Sequence, residues 1–311
     1  MDYISIKEAA EKWGVSERHV RRYCNDRKIK GAIIENGVWI IPDNAPKPKA
    51  KSRANVPIQR EITLQPLANR VLREYKKNNH FGIYEYLIAN LTYSSNRMAS
   101  NRLTFEQVLS IFRTNKVAKG FEATKVDDFI EAVNHIACVK MVLDYVTSPL
   151  SQDFLKKLHT LLFYGTFADR KKEVRPGHYR NGRSKLGVFP GQIQGELAAL
   201  IAEYEGTETI DLEIILDFHV RFEKIHPFED GNGRIGRLVL LKECLRFGIF
   251  PFIIDDKHRS AYHKGIQLWD TDRSALLQLC TKAQQTVEAK YELFQLMDYC
   301  RPPTGRGARE E

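Results

Sequence analysis

The sequence predicts a mainly α-helical protein with a small N-terminal domain of helices and a β-hairpin. Three observations carry this. Apolar side chains recur at helical spacing from about residue 60 to 300. A Pro- and Lys-rich stretch divides the chain near its start. One Asn-Gly pair sits between two apolar runs.

Taken in order, Ser5 is placed to cap a first helix whose apolar positions include Ile6, Ala9, Ala10 and Trp13, and Gly14 ends it. Ser16 caps a second helix, Glu17 to Asp26, with Val20 and Tyr23 inward and Arg18, Arg21, Arg22 and Arg27 outward. The run from Ala32 to Ile41 places Asn36-Gly37 where a two-residue hairpin turn needs positive φ. Residues 1–42 therefore form one domain. Residues 43–58 read as a basic linker, because Pro46, Pro48 and Pro57 oppose helix and the interleaved lysines keep it solvated. The main domain, 59–300, shows helical periodicity over Asp127–Val146, Ser151–Phe163, Gln192–Tyr204, Leu212–Ile225, Arg234–Phe247 and Ala275–Leu296. Only Asn181–Pro190 looks extended, and 301–311 reads as a loose tail.

The 311 residues are 43% apolar, enough for two modest domains and against wholesale disorder. The formal charge is +9, and residues 1–55 hold twelve Lys and Arg against seven Asp and Glu. More than half of the basic excess thus lies at the start, which suits an anionic partner there. The five cysteines are scattered and form no CxxC pair, which argues against a disulfide framework or zinc knuckle. No leader-like N-terminus and no apolar run near the length of a membrane span is visible, so a cytoplasmic protein without membrane contact is expected.

The chemistry concentrates in His226-Pro-Phe-Glu-Asp-Gly-Asn-Gly-Arg-Ile-Gly-Arg237, between two periodic helices. Gly231-Asn232-Gly233 must turn tightly onto a helix N-terminus, where free N–H groups and the helix dipole favour phosphate. Asp230 can hold Mg²⁺ beside that nest, and Arg234 and Arg237 share one helix face. His226 is placed to take a proton from an attacking hydroxyl. Each residue alone would fit a solvated helix–loop–helix corner; together they suit phosphoryl or nucleotidyl transfer.

This segment matches the Fic family motif, H-x-F-x-[D/E]-G-N-G-R-x-x-R, at every position. Flanking elements resemble the family too: His219–Ile225 is similar to the helix leading into the motif, and Pro176-Gly-His-Tyr-Arg180 resembles its P-G-x-Y-R element. Arg183–Pro190 stands where the family carries a β-hairpin flap that holds the target. The resemblance implies an all-helical Fic core that transfers AMP from Mg-ATP to a Ser, Thr or Tyr hydroxyl of a protein, itself included, releasing pyrophosphate. It implies His226 as general base, Asp230 as Mg²⁺ ligand, and Gly231, Asn232 and Gly233 as the phosphate nest. Arg234 and Arg237 would contact nucleotide phosphates, Phe228 would anchor the loop, and Tyr262 would lie near the adenine. Relatives with Lys in place of Gly233 transfer phosphate instead, so Gly233 favours AMP transfer with ATP as donor.

Many Fic proteins carry an inhibitory helix, [S/T]-x-x-x-E-[G/N], whose Glu pairs with the second motif arginine. Here the corresponding stretch, about 92–101, has Ser95 at the first position but Ala99 and Ser100 at the last two. The resemblance then implies a de-inhibited enzyme with Arg237 free for phosphate.

The N-terminal domain resembles a winged helix-turn-helix of the excisionase or MerR type, with Arg18, Arg21 and Arg22 as candidate DNA contacts. Protein docking is the alternative role for so small a unit, and DNA binding would call for a homo-oligomer. His258 and His263 fit no standard zinc spacing, and His159, His178 and His219 read as structural or surface groups. The rival to an enzyme is a DNA-binding transcriptional regulator whose Fic domain senses nucleotide with little turnover.

Overall fold

The computed structural model describes residues 2–25, 29–35, 38–48, 62–116, 125–184 and 186–299. The chain divides into two compact units, Met1–Val56 and Pro57–Glu311.

The first unit runs β1 (Tyr3–Ser5), α1 (Ile6–Trp13), α2 (Glu17–Asn25), β2 (Ile33–Glu35) and β3 (Val38–Pro42). Ser5 forms a full capping box with Glu8, its hydroxyl accepting from the Glu8 N–H while the Glu8 carboxylate accepts from the Ser5 N–H. The strands make an antiparallel sheet in the order β1-β3-β2. β1, which helical spacing and turn signals had not marked, pairs Tyr3 with Pro42 and Ser5 with Ile40. Glu35 pairs with Val38; the expected turn residues between them, Asn36 and Gly37, lie outside the described residues. Ile6, Ala9, Val20, Cys24 and Ile41 form a small core of their own. The expected linker needs one correction. Residues 43–48 still pack on this unit: Ala45 is buried, Lys12 pairs with Asp43 at 2.7 Å, and Lys47 Nζ donates to the Trp13 carbonyl at 2.8 Å. Residues 49–58 and the tail 301–311 lie outside the described residues.

The second unit is built of α3 (Pro66–Lys76), α4 (Ile83–Met98), α5 (Phe105–Thr114), α6 (Val126–Asp144), α7 (Gln152–Phe163), α8 (Phe167–Arg170), α9 (Ile193–Glu205), α10 (Leu212–Ile225), α11 (Asn232–Arg246), α12 (Arg259–Leu268) and α13 (Ser274–Tyr299). Caps set many of the boundaries. Ser151 accepts from the Phe154 N–H to start α7, and Asp211 accepts from Ile214 to start α10. α10 and α11 pack together, with α6 and α4 against α11 and α9 against α10. One continuous apolar core links them, including Leu158, Phe222, Phe228, Ile235 and Leu238. Each such side chain contributes about 1.5–3 kcal/mol on burial.

α11 is the axis of this core. Even its charged residues Arg234, Arg237, Lys242, Glu243 and Arg246 are buried. Glu243 accepts from Lys242 Nζ at 2.6 Å, Tyr204 Oη at 3.0 Å and an Arg246 guanidinium nitrogen at 3.1 Å; Glu205 accepts from Arg246 at 2.7 Å. Buried charges persist only when paired in this way.

Two sequence expectations change. No strand occurs among the described residues of 181–190, so the expected β-hairpin flap is an irregular segment. No strand ladder forms among the described residues; main-chain bonds tie its flanks to the end of α10 and the loop after it instead, Arg180 N–H donating to the Pro227 carbonyl at 2.9 Å and Val188 N–H to Ile225 at 3.4 Å. The expected inhibitory-type helix of about 92–101 is the last part of α4, which starts at Ile83 and stops at Met98. Ser100 adopts a left-handed φ of 73°, and the Asn101 N–H folds back to the Asn96 carbonyl at 3.0 Å, closing the helix end.

Candidate active site

The twelve-residue motif forms the loop between α10 and α11, and each part of it is positioned by local chemistry. His226 caps α10 in a left-handed conformation, φ 50°, with its N–H on the Phe222 carbonyl at 3.1 Å. Phe228 is fully buried and lies flat on His159, ring centroids 4.0 Å apart and planes 6° from parallel. Asn232 closes the loop from inside, accepting from the Phe228 N–H at 2.9 Å and donating to the Phe228 carbonyl at 3.0 Å. Its side chain is therefore spent on the loop, and only its main chain is left to bind phosphate. Gly231 has φ 78°, and a Cβ there would stand 2.5 Å from the Phe163 ring. Glycine is required on both counts.

The first helical bond of α11 runs from Ile235 N–H to Gly231. The N–H groups of Asn232, Gly233 and Arg234 precede it, and they are the groups a helix start offers to an anion. Around this N-terminus lies a cleft of about 500 Å³ lined by Ala99, Leu186, Glu223, His226, Asp230, Gly231, Asn232, Gly233, Arg234, Arg237, Arg259 and His263, among others. The expected base, nest, acidic residue and both arginines thus meet in one place.

The arginines are held differently. Arg234 is buried, lies 3.2 Å from Glu131 and 3.5 Å from Asp230, and stands over the Phe163 ring at 4.9 Å. Arg237 was expected to be free because Ala99 replaces a carboxylate. It is not: its Nε donates to Ser95 Oγ at 3.0 Å and a terminal nitrogen to the Ser95 carbonyl at 3.1 Å. Its other terminal nitrogen is directed at Gly233, where an added Cβ would stand 2.9 Å away. A serine hydroxyl and carbonyl carry no net charge, so they fix the guanidinium without neutralising it. Ala99 itself is exposed on the same cleft.

Tyr262 needs a correction. It is completely buried, with its hydroxyl on His219 Nε2 at 2.5 Å, so contact with an adenine ring is closed to it. The cleft-lining residues of α12 are Arg259, His263, Ile266 and Gln267.

Electrostatics favour a neutral imidazole at His226. Burial, and next Arg180, push the His226 imidazole below its ordinary range, against the Glu223 carbonyl and Asp230, which raise it. Among the described residues its Nδ1 has no partner. Asp230 is the most exposed carboxylate of the site, its side chain 65% accessible. One open carboxylate beside a phosphate nest fits Mg²⁺, which binds through one or two carboxylates plus phosphate oxygens and water. Among the described residues no cluster of three metal-ligating side chains offers an alternative, at His258 and His263 or elsewhere.

Three features were not visible in the motif. Glu223, one turn before His226, lines the cleft; burial pushes its carboxyl up to about 7 against the pull of Arg237. Its position within the sequence-matched helix was the only available signal. His159 bridges two loops, accepting from Gly177 N–H at 2.9 Å on Nδ1 and meeting the Asp230 carbonyl at 3.2 Å on Nε2. Burial lowers it to about 4, keeping it neutral. Arg175 pairs with Glu229 at 3.0 Å, fixing the loop from the other side.

His226, the amide-rich start of α11 and two buried arginines thus line one cleft. Comparison points to one family: residues 149–244 match the Fic/DOC family. The chain is 26% identical over 185 residues to the protein adenylyltransferase Fic of Culex quinquefasciatus, covering 57% of this chain and 36% of that protein. The Drosophila willistoni protein of the same name is 26% identical over 209 residues, covering 65% and 39%. The chain thus spans about two-fifths of the length of these relatives. The fold is similar to a Fic domain-containing signalling protein from Bacteroides thetaiotaomicron, with TM-score 0.59 and 17% identity over 77% of this chain and 99% of that one. It is equally similar to Fic-1 from C. elegans, with TM-score 0.59, 19% identity and 74% coverage of both chains. No helix among the described residues is long and apolar enough to cross a membrane.

Proposed function

We propose that this protein is a protein adenylyltransferase that moves AMP from ATP to a Ser, Thr or Tyr hydroxyl of a protein, itself included. The observation that carries the reading is one cleft holding His226, the free N–H groups of 232–234, and both arginines. It is supported by the relatives' name, protein adenylyltransferase Fic.

In this reaction neutral His226 takes the proton of the target hydroxyl as its oxygen bonds to the α-phosphorus. The bond to the β-phosphate oxygen breaks and pyrophosphate leaves. The α11 N-terminus with Arg234 and Arg237 spreads the phosphate charge at no cost in reorganisation. Asp230 would hold Mg²⁺, which supplies charge neutralisation on the phosphates. Gly233 matters because any side chain there would displace Arg237.

Incubation with ATP and Mg²⁺ followed by intact-protein mass spectrometry, in parallel with His226→Ala, tests this. A gain of one AMP on the parent protein or an added target, lost in the variant, is expected. Absence of any transfer with any nucleotide donor sinks the proposal.

We also read the enzyme as de-inhibited. Ala99 lines the cleft without charge, so Ala99→Glu should pair with Arg237 and cut transfer by about tenfold or more, the size of a typical coupling. An unchanged rate and ATP affinity would reject that reading. The N-terminal unit is proposed to bind DNA through α2, where exposed Arg21 sits 4.0 Å from Glu17. The side chains of the other candidates, Arg18 and Arg22, lie outside the described residues. Retardation of duplex DNA that weakens steeply with salt is the expected result; no binding at low salt would leave protein docking.

A further inference from the structure

Arg180 is 3% exposed, yet every hydrogen bond its guanidinium makes among the described residues ends on a main-chain carbonyl. Nε donates to His226 at 2.6 Å, one terminal nitrogen to Gly182 at 2.8 Å, and the other to Val188 and, at 3.4 Å, to Ile225. Two of these acceptors belong to the irregular 181–190 segment; the others are the end of α10 and the expected base. Gly187 permits the approach, since a Cβ there would stand 2.3 Å from an Arg180 nitrogen, 2.8 Å from His226 Cβ and 2.9 Å from the Ile225 carbonyl. A planar fork of donors is what such divergent acceptors need; a lysine ammonium could not span them.

We propose that Arg180 is a positioning residue that sews the 181–190 segment to the main chain of His226, fixing the base in its left-handed conformation beside the phosphate nest. The role in transfer rests on the function proposed above; the tie itself does not. With only carbonyls as partners, the guanidinium keeps its full charge next to the imidazole. It therefore also opposes protonation of His226, together with burial and against Asp230 and the Glu223 carbonyl.

The test uses the full-length protein with Arg180→Gln, Arg180→Lys and Gly187→Ala. Three quantities are read: hydrogen exchange of the Val188 amide, the His226 titration by NMR, and the kcat and KM for ATP. Arg180→Gln should speed Val188 exchange by about tenfold or more, as expected for a locally opened unit. It should also move the His226 titration upward by about half a pH unit, because a cation is removed. Arg180→Lys should leave that titration in place but lower kcat by about tenfold with KM little changed, as expected for a misplaced base. Gly187→Ala keeps the charge and should reproduce the faster exchange, which serves if Arg180→Gln fails to fold. Unchanged exchange in both Arg180→Gln and Gly187→Ala, or parental kcat in Arg180→Lys, overturns the proposal. A parent protein that transfers nothing overturns the function instead, and exchange and titration still decide the tie.

Discussion

α10 and α11 flank the same loop and are nearly equal in length, yet they solve opposite problems. α10 buries one face and, apart from Glu223, leaves its charges nearer to water: Lys224 pairs with Asp270 at 2.7 Å with both side chains at least a third exposed. α11 is buried almost all round, and its charges survive because partners reach them from α4, α6 and α9. A helix that holds cations inside a core needs neighbours to fix them, whereas a helix whose charges mostly reach water does not. The α11 side of the cleft is thus the one where polar groups have been desolvated at a cost that tertiary contacts offset.

Several substitutions would sharpen or break this contrast. Glu243→Ala, on α11, removes the carboxylate partner of Lys242, the acceptor of Tyr204 and one of the two carboxylates that hold Arg246. Denaturant unfolding should show a loss of about 3–5 kcal/mol, the usual cost of orphaning a buried charge; a loss under about 1 kcal/mol would mean that the network is not held as described. Gly231→Ala imposes a left-handed strain and a contact with Phe163, and should cost about 1–3 kcal/mol in the same assay.

Glu223, at the α10 end of the cleft, gives a pH signature. Its carboxyl is raised from 4.5 to about 7 in the folded protein, so the neutral form favours folding. That contribution is complete below pH 4.5 and lost as pH rises through about 7. Glu223→Gln keeps a neutral group, so its melting temperature relative to the parent should be higher at pH 8 than at pH 5, by about 2–4 °C per kcal/mol recovered. Equal differences at the two pH values would contradict the raised carboxyl. The smallest effect is expected at Lys224→Ala, where an exposed pair contributes under about 1 kcal/mol.

Much of this was legible in the residues. The span Leu212–Ile225 was read at its observed limits, because Asp211 caps it and its apolar face is regular. α11 was placed two residues late, since Asn232 and Gly233 look like loop until Asn232 is seen to bond back to Phe228. The extended 181–190 segment was visible, but not that its flanks would be tied to the end of α10 and the loop after it instead of forming a hairpin.

By itself, the sequence determined the helical class, several caps, the glycine turn and the motif residues that line the cleft. Each depends on spacing over a few positions, which backbone geometry makes local. Only the tertiary structure decided that Ser95 holds Arg237, that Tyr262 is sealed beneath the cleft, and that Arg180 bonds to the base. Those outcomes join groups far apart in the chain, 142 residues for Ser95 and Arg237 and 46 for Arg180 and His226. Burial forces such polar atoms to find partners, and packing of the whole core determines which partner is within reach.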